Sequence, residues 1–414
     1  MRILHVTQGY HPAIGGTEFL IQRVSEELKN KWGDEVTIFT TNCFSGEAFF
    51  NPKLNRMETG WSEYNGVKIY RFPVKSHISR FFRIPQAIAY RLHVPGNQYL
   101  RLISSGPIIP GLKKAIKNYS TDIISAASFP LTHMFTAQQA AKETKRGCIF
   151  TGCIHPMDNW GFDRQMIYKA INRSNHYIAL TEYEALFLNS KGIDKERITV
   201  IGAGVDIEPY YKINTREARK KLGIEEDGSV VGFIGQIAEA KGVGTLMKSM
   251  IRIWKELPNT NLLIAGARTL YCDKLEKEIA MLPEEYRKKV FIKYNFLTDE
   301  KPDLYAAIDI LAYPSGFESF GIAFLEAWAA EKPVIGCKQG AIPWVIEPGI
   351  DGLVVDYLDH LGLTGALLLL LKNPSWAKSL GEIGKKKVLE NYTWSKIASR
   401  YREIYIEYSN SKLK

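Results

Sequence analysis

This chain has no apolar run long enough to cross a bilayer. The longest, Leu361 to Leu371, falls well short of the roughly 20 residues that a membrane helix needs and reads as a short core helix. Residues 1–10 lack the basic start and long apolar region of a signal peptide; they read as a β-strand, so a cytosolic protein is expected. No Cys-x-x-Cys pair occurs. The five cysteines (Cys43, Cys148, Cys153, Cys272, Cys337) are odd in number, which supports neither a disulfide framework nor a zinc site and leaves buried thiols as the expectation. A Gly-x-Gly-x-x-Gly fingerprint is missing, and with it the usual dinucleotide loop. No helix-turn-helix, zinc-finger or RNA-binding signature is present either, so no nucleic-acid partner is expected.

What is present is an ordinary globular composition, 45% hydrophobic and 24% charged, over 414 residues. That length suits two domains of about 200 residues better than one core. The net charge of +10 favours phosphorylated ligands, anionic membrane surfaces or nucleic acid without choosing among them.

Short strands rich in β-branched and aromatic residues alternate with amphipathic stretches. One series comprises Arg2–Thr7, Glu35–Thr40, Val67–Phe72, Asp122–Ala126, Gly147–Thr151, Tyr177–Leu180 and Thr199–Ile201; a second comprises Ser229–Ile234, Leu262–Ala265, Val290–Tyr294, Ile310–Tyr313, Pro333–Gly336 and Gly352–Val355. Such alternation predicts two α/β domains with parallel sheets covered on both faces. The expected division is 1–204, 205–392 and a C-terminal helix in 393–414, with the boundary in the Gly/Asp/Pro-rich stretch 202–209. In that helix Ile397, Tyr401, Ile404 and Tyr408 share one face, which makes packing its default role. Ligands of doubly wound sheets bind beyond the carboxyl ends of the strands, so two sheets facing each other would make a central cleft.

Several loops after strands carry candidate chemistry. In Gly9-Tyr10-His11-Pro12-Ala13-Ile14-Gly15-Gly16-Thr17, Gly15 and Gly16 let the backbone approach a ligand at a helix start, although a simple tight turn explains the pair equally well. After the strand Ser229–Ile234 comes Gly235-Gln236-Ile237-Ala238-Glu239-Ala240-Lys241-Gly242. A lysine at a helix start opposes the helix dipole unless both face a phosphate; as an isolated lysine it reads as a solvated surface residue. The segment Pro314-Ser315-Gly316-Phe317-Glu318-Ser319-Phe320-Gly321-Ile322-Ala323-Phe324-Leu325-Glu326-Ala327 follows another strand. Gly321, Ile322 and Ala323 would form a first helical turn with free N–H groups, and Glu326 sits among apolar neighbours where a carboxylate needs a partner. Glu318 as a helix-start acid and Glu326 as an exposed residue account for either alone, and for the pair poorly. His155, after Gly147–Thr151, is a sugar-contacting or a structural histidine on position alone.

Taken in order, these segments resemble retaining glycosyltransferase family four over nearly the whole chain. The resemblance is carried by the Gly-Gly loop with Glu18, the histidine after the fifth strand, Gly204-Val205-Asp206 and Lys241-Gly242. It is carried most strongly by Glu318 and Glu326 with Phe320-Gly321 between them, then Glu331-Lys332-Pro333-Val334-Ile335 and Gly340-Ala341-Ile342-Pro343. It implies a GT-B fold with two Rossmann-like domains and a C-terminal helix returning to the first. It also implies a nucleoside-diphosphate sugar donor (UDP-, GDP- or ADP-linked) and transfer to the hydroxyl of a saccharide or lipid-linked acceptor. On this reading Gly15 and Gly16 approach the donor diphosphate, Lys241 neutralises phosphate charge, and Glu326 binds ribose hydroxyls. Phe320, Gly321, Ile322 and Ala323 meet phosphate and sugar, Glu318 orients the transferred sugar, His155 contacts that sugar, and Phe296 lies near the base. Gln236 stands where family members commonly have arginine, and Trp344 where glutamate is frequent.

No Asp-x-Asp occurs, so a manganese clamp is unsupported and no cofactor is expected; leaving-group stabilisation would fall to Lys241 and helix N-termini. Residues 75–103 mix Lys75, Arg80, Arg83, Arg91 and Arg101 with Phe81, Phe82, Ile84, Tyr90 and Leu92. They suit either a basic surface with core anchors or peripheral contact with the anionic inner face of a membrane. A sugar-nucleotide binder without turnover, a phosphorylase or epimerase on the same fold, and an NAD-dependent enzyme are the rival readings. Gln236 favours the first, and the missing glycine fingerprint opposes the last.

Overall fold

A computed structural model describes residues 1–13, 15–211 and 214–409. The chain divides into two compact units, Met1–Ala203 joined by the segment from Trp394 onward, and Gly204–Thr393.

The first unit is built on eight strands: β1 (Arg2–Val6), β2 (Glu35–Thr41), β3 (Gly60–Tyr64), β4 (Val67–Phe72), β5 (Ile123–Ala127), β6 (Gly147–Thr151), β7 (His176–Ala179) and β8 (Ile198–Val200). Their spatial order is β3-β4-β2-β1-β5-β6-β7-β8. All neighbours are parallel except β3 and β4, which form an antiparallel hairpin. Strands β5 and β6 are buried at every position, as strands covered on both faces must be.

Sequence periodicity missed β3. Its residues are mostly exposed at the sheet edge, so no apolar run marks it. The Asn65-Gly66 turn was its signal: both residues have positive φ, the two-residue hairpin geometry that suits right-twisted strands.

The helix Trp394–Ser409 packs on this unit. Its Trp394 ring meets Phe19 edge-on at 5.5 Å, on the helix Gly16–Trp32. Tyr405 is fully buried, its hydroxyl 3.0 Å from His5 Nε2 and donating to Ser125 Oγ at 2.9 Å, which fixes the helix across β1 and β5. Gly147 has to be glycine here, because a Cβ would sit 2.4 Å from the Tyr408 carbonyl oxygen.

The second unit has six strands, β9 (Ser229–Ile234), β10 (Thr260–Gly266), β11 (Val290–Tyr294), β12 (Ile310–Ala312), β13 (Val334–Cys337) and β14 (Gly352–Val355). They are ordered β11-β10-β9-β12-β13-β14 and all parallel. Two buried tryptophans anchor its helical layers, each with its indole N–H satisfied: Trp254 donates to Thr260 O and Trp328 to Asp351 O, both at 2.8 Å.

Both sheets are doubly wound. In the first, chain order reverses between β1 and β5; in the second, between β9 and β12. Beyond the carboxyl ends of those strand pairs lie the crevices where such sheets take ligands.

Candidate active site

In the second unit the loops after β9 and β12 are pressed together. A Cβ on Gly242 (φ +79°) would come within 2.2 Å of the Pro314 carbonyl oxygen, and one on Gly235 within 2.6 Å of the Tyr313 ring. Gly316 donates its N–H to Ala240 O at 3.0 Å, tying one loop to the other. That closeness brings Lys241 onto Glu318: its Nζ donates to Glu318 Oε1 at 2.6 Å and to the Phe317 carbonyl at 2.9 Å. Both side chains are largely shielded, at 19% and 14% exposure. Lys241 ends a short 3-10 turn, with Gly242 leading directly into the helix Val243–Glu256. The cation and the carboxylate that sequence reading treated separately are therefore one ion pair.

Glu326 forms a second pair. It lies in the helix Ile322–Ala329 and is 7% exposed. Its Oε1 accepts from Lys301 Nζ at 2.6 Å and its Oε2 from the Tyr305 hydroxyl at 2.9 Å. The partner that a carboxylate in apolar company requires is thus supplied by the chain itself. Lys301 and Tyr305 occupy one face of the helix Lys301–Ala307 at i, i+4 spacing, and sequence reading missed both. Nothing in their local pattern points to a glutamate more than twenty residues away.

Tyr313, also missed, lies between these features. Burial and the neighbouring Glu318 carboxylate push its hydroxyl well above the ordinary tyrosine range. Gly321 opens the helix Ile322–Ala329 with φ +97°, where a Cβ would strike the Phe324 ring at 2.6 Å. The first N–H groups of that helix, at Ile322 and Ala323, have no intrahelical acceptor. Phe320 is buried against the Tyr392 ring at 5.6 Å, so it supports the turn from beneath. Gln236 is exposed in the loop after β9, and Phe296 is half-buried in the loop after β11, at the sheet's far edge.

In the first unit the loop after β1 is organised by Glu18. A Cβ on Gly15 would meet Glu18 Oε2 at 2.2 Å, whereas the space over Gly16 is open. Steric demand for glycine thus falls on Gly15, and Gly16 presents bare backbone. Burial pushes the Glu18 carboxyl up from its ordinary value. Ile14 of this loop lies outside the described residues.

The loop after β6 carries His155, half-buried with its ring 5.4 Å from Phe162 and its carbonyl accepting from Asp158 N–H at 3.0 Å. By contrast His5 and His133 are fully buried, and burial drives them to about 3 and about 4; both are neutral structural groups.

Glu184 holds the His155 loop in place, and sequence reading missed it too. Its carboxylate accepts from Ile154 N–H at 2.8 Å, Leu180 N–H at 2.8 Å and the Tyr177 hydroxyl at 2.5 Å. Burial nonetheless raises its pKa to about 7. The Thr181-x-x-Glu184 spacing, a helix-start capping pattern, was the available signal.

Two α/β units, each on an open and almost wholly parallel sheet, match the GT-B glycosyltransferase fold of solved structures. The Anabaena protein HepE, solved with UDP and glucose, superposes with a TM-score of 0.74 at 16% identity, over 98% of this chain and all of that one. Sucrose-phosphate synthase from Thermosynechococcus elongatus gives 0.74 at 18%, over 98% and 99%. The family model for glycosyl transferases group 1 matches residues 214–387, and that for Glycosyltransferase Family 4 matches residues 14–209. The chain belongs to glycosyltransferase family four. Curated relatives include the D-inositol 3-phosphate glycosyltransferase of Corynebacterium efficiens, 30% identical over 52% of each chain. Another is the N-acetyl-alpha-D-glucosaminyl L-malate synthase of Bacillus anthracis, 28% identical over 49% of this chain and 52% of its own. The chain spans about half the length of these relatives.

Proposed function

We propose that the protein is a retaining, metal-independent glycosyltransferase that moves a hexose from a nucleoside-diphosphate sugar to an acceptor hydroxyl. The two lysine–glutamate pairs beside the β9/β12 switch point carry this reading, because they supply two cations and two carboxylates within one ligand crevice. Lys241 neutralises charge as the nucleotide leaves, aided by the N–H groups of Gly321, Ile322 and Ala323, and Gln236 adds an uncharged donor. Glu326 takes the ribose hydroxyls, Glu318 the hydroxyls of the transferred sugar, and Phe296 flanks the base. Gly15 and Gly16 offer backbone N–H groups to an anion, and His155 is a sugar-contacting residue. The acceptor attacks from the face the nucleotide leaves, through an oxocarbenium-like state, and the departing phosphate takes the acceptor's proton.

UDP-sugars are the first donors to try, since HepE was solved with UDP and UDP-glucose. The names of the curated relatives above carry D-inositol 3-phosphate and L-malate, which favours a small polar acceptor; a lipid-linked saccharide is the other class. We place the protein in the cytoplasm with peripheral contact to an anionic membrane face through residues 75–103. The helix Ser76–Arg91 turns Phe81, Ile84 and Ile88 outward, each more than half exposed, while burying Ser76, Ser79 and Ala89. No Asp or Glu occurs between Glu63 and Asp122. An apolar stripe in an acid-free, arginine-rich segment suits an interfacial helix.

A thermal-shift screen of UDP-, GDP- and ADP-sugars tests the donor assignment. One of them stabilises the wild type, and Glu326→Ala removes that stabilisation; equal shifts in both proteins would place the donor elsewhere.

A further inference from the structure

Two arginines in the first unit are buried without a counter-ion. Arg164, in the loop after β6, is 2% exposed; Arg101, on the helix Asn97–Ser105, is 6% exposed. Both turn toward one oxygen: Arg101 Nη1 donates to the Trp160 carbonyl at 2.7 Å and Arg164 Nε at 3.2 Å. Arg164 Nη1 and Nη2, and Arg101 Nε, have no hydrogen-bond partner among the described residues. The acids nearby form no ion pair with either arginine, although Asp158 offsets part of the charge of both and Asp163 part of that of Arg101. Asp163 accepts from Lys191 at 2.7 Å and Tyr168 at 2.8 Å, and Asp158 Oδ1 accepts from Gly161 N–H at 2.8 Å. Burial and the adjacent Arg101 charge pull the Arg164 guanidinium down to about 10.

Two like charges buried side by side cost stability unless an anion joins them. Aromatic rings cover the pair: Trp160 lies 5.2 Å over Arg164 and 6.0 Å over Arg101, and Tyr90 lies 4.7 Å over Arg101. Both rings are exposed on their outer side, at 38% and 41%, so displacing the Trp160 indole would uncover the guanidiniums.

We propose that Arg101 and Arg164 form an oxyanion site that takes the phosphate monoester of a phosphorylated acceptor, with Trp160 as its cover. Two guanidiniums match the charge of a phosphate dianion, and their unpartnered N–H groups suit its several oxygens better than a carboxylate's two. The same loop carries His155. Placing that phosphate on the acceptor rests on the first domain being the acceptor side; phosphate binding itself does not.

The test uses the full chain carrying Lys241→Ala, which removes the other phosphate-binding cation, titrated with inorganic phosphate and followed by melting temperature and tryptophan fluorescence. In this parent, phosphate raises the melting temperature and changes a fluorescence component that Trp160→Phe abolishes. Adding Arg164→Met leaves the phosphate-free melting temperature equal or higher, because an uncompensated charge is gone, and weakens phosphate binding at least about tenfold. Arg101→Met and Arg164→Lys, which cover the case of a misfolded methionine variant, weaken it as well. If Arg164→Met lowers the melting temperature equally with and without phosphate, or phosphate affinity is unchanged in all three variants, the arginines are structural and the site does not exist. A protein that binds phosphate this way yet transfers no sugar would sink the transferase reading and leave the site standing.

Discussion

Two regions, each beside a doubly wound sheet, treat charge in opposite ways. Beside the β9/β12 switch point each shielded carboxylate holds a lysine: Glu318 with Lys241 and Glu326 with Lys301. Beside β6, two arginines are buried with no direct ion pair, and the buried Glu184 carboxylate spends its oxygens on backbone N–H groups and a tyrosine. The contrast teaches what each half is prepared for. Paired charges form a site that can exchange an internal partner for a ligand's phosphates or hydroxyls at little electrostatic cost. Cations buried without a direct ion pair are what the proposed anion site would use.

The largest expected break in this comparison is Lys241→Ala. It removes the only charged group assigned to the leaving phosphate and strips Glu318 of its partner. We expect kcat for sugar transfer to fall by about 10²–10³-fold, the range for losing one transition-state donor, with a smaller change in donor KM. Steady-state assays with saturating acceptor measure it; an unchanged kcat would move leaving-group stabilisation away from this lysine.

Glu184→Gln should act next most strongly, through stability. Because burial lifts the folded pKa from 4.5 to about 7, the folded state holds a proton that the unfolded chain releases between those values. The stability this group contributes is therefore present below about pH 4.5 and fades as pH rises through 7. Denaturant melts from pH 4.5 to 8 should show that downward slope in the wild type and a flatter one in Glu184→Gln. Identical slopes would mean that the carboxyl is ionised across the range.

The smallest effect on chemistry should come from Phe81→Ser combined with Ile84→Ser. Both side chains are over 70% exposed, so folding and turnover on a water-soluble acceptor stay near wild type. Binding to vesicles containing anionic phosphatidylserine should drop at least about tenfold, since burying a large apolar side chain contributes about 1.5–3 kcal/mol. Equal co-sedimentation of variant and wild type would remove the membrane contact from this helix.

Much of the fold was legible because strands covered on both faces leave contiguous apolar runs, as in Gly147–Thr151 and Ser229–Ile234; Val67–Phe72, Val290–Tyr294 and Gly352–Val355 also lie where β-branched and aromatic residues put them. The edge strand Gly60–Tyr64 escaped because half-exposed strands leave no such run. Of the candidate site, residues just beyond strand ends were visible: Lys241 and Glu326 stand where local physics does not want them, and Glu318 showed through its spacing from Glu326. Their partners were not. Lys301 and Tyr305 are unremarkable on their own helix, and only the fold carries them to Glu326. Arg164 and Arg101 were hidden for the same reason, since burial without a counter-ion is a tertiary property.

The central claim is retaining transfer at the Glu318–Lys241 face, and the anomeric configuration of the first-formed product tests it most directly. Proton NMR during turnover of an α-linked sugar nucleotide should show an α-glycoside appearing before any mutarotation. A β-glycoside as first product would contradict same-face displacement and the roles assigned to these residues.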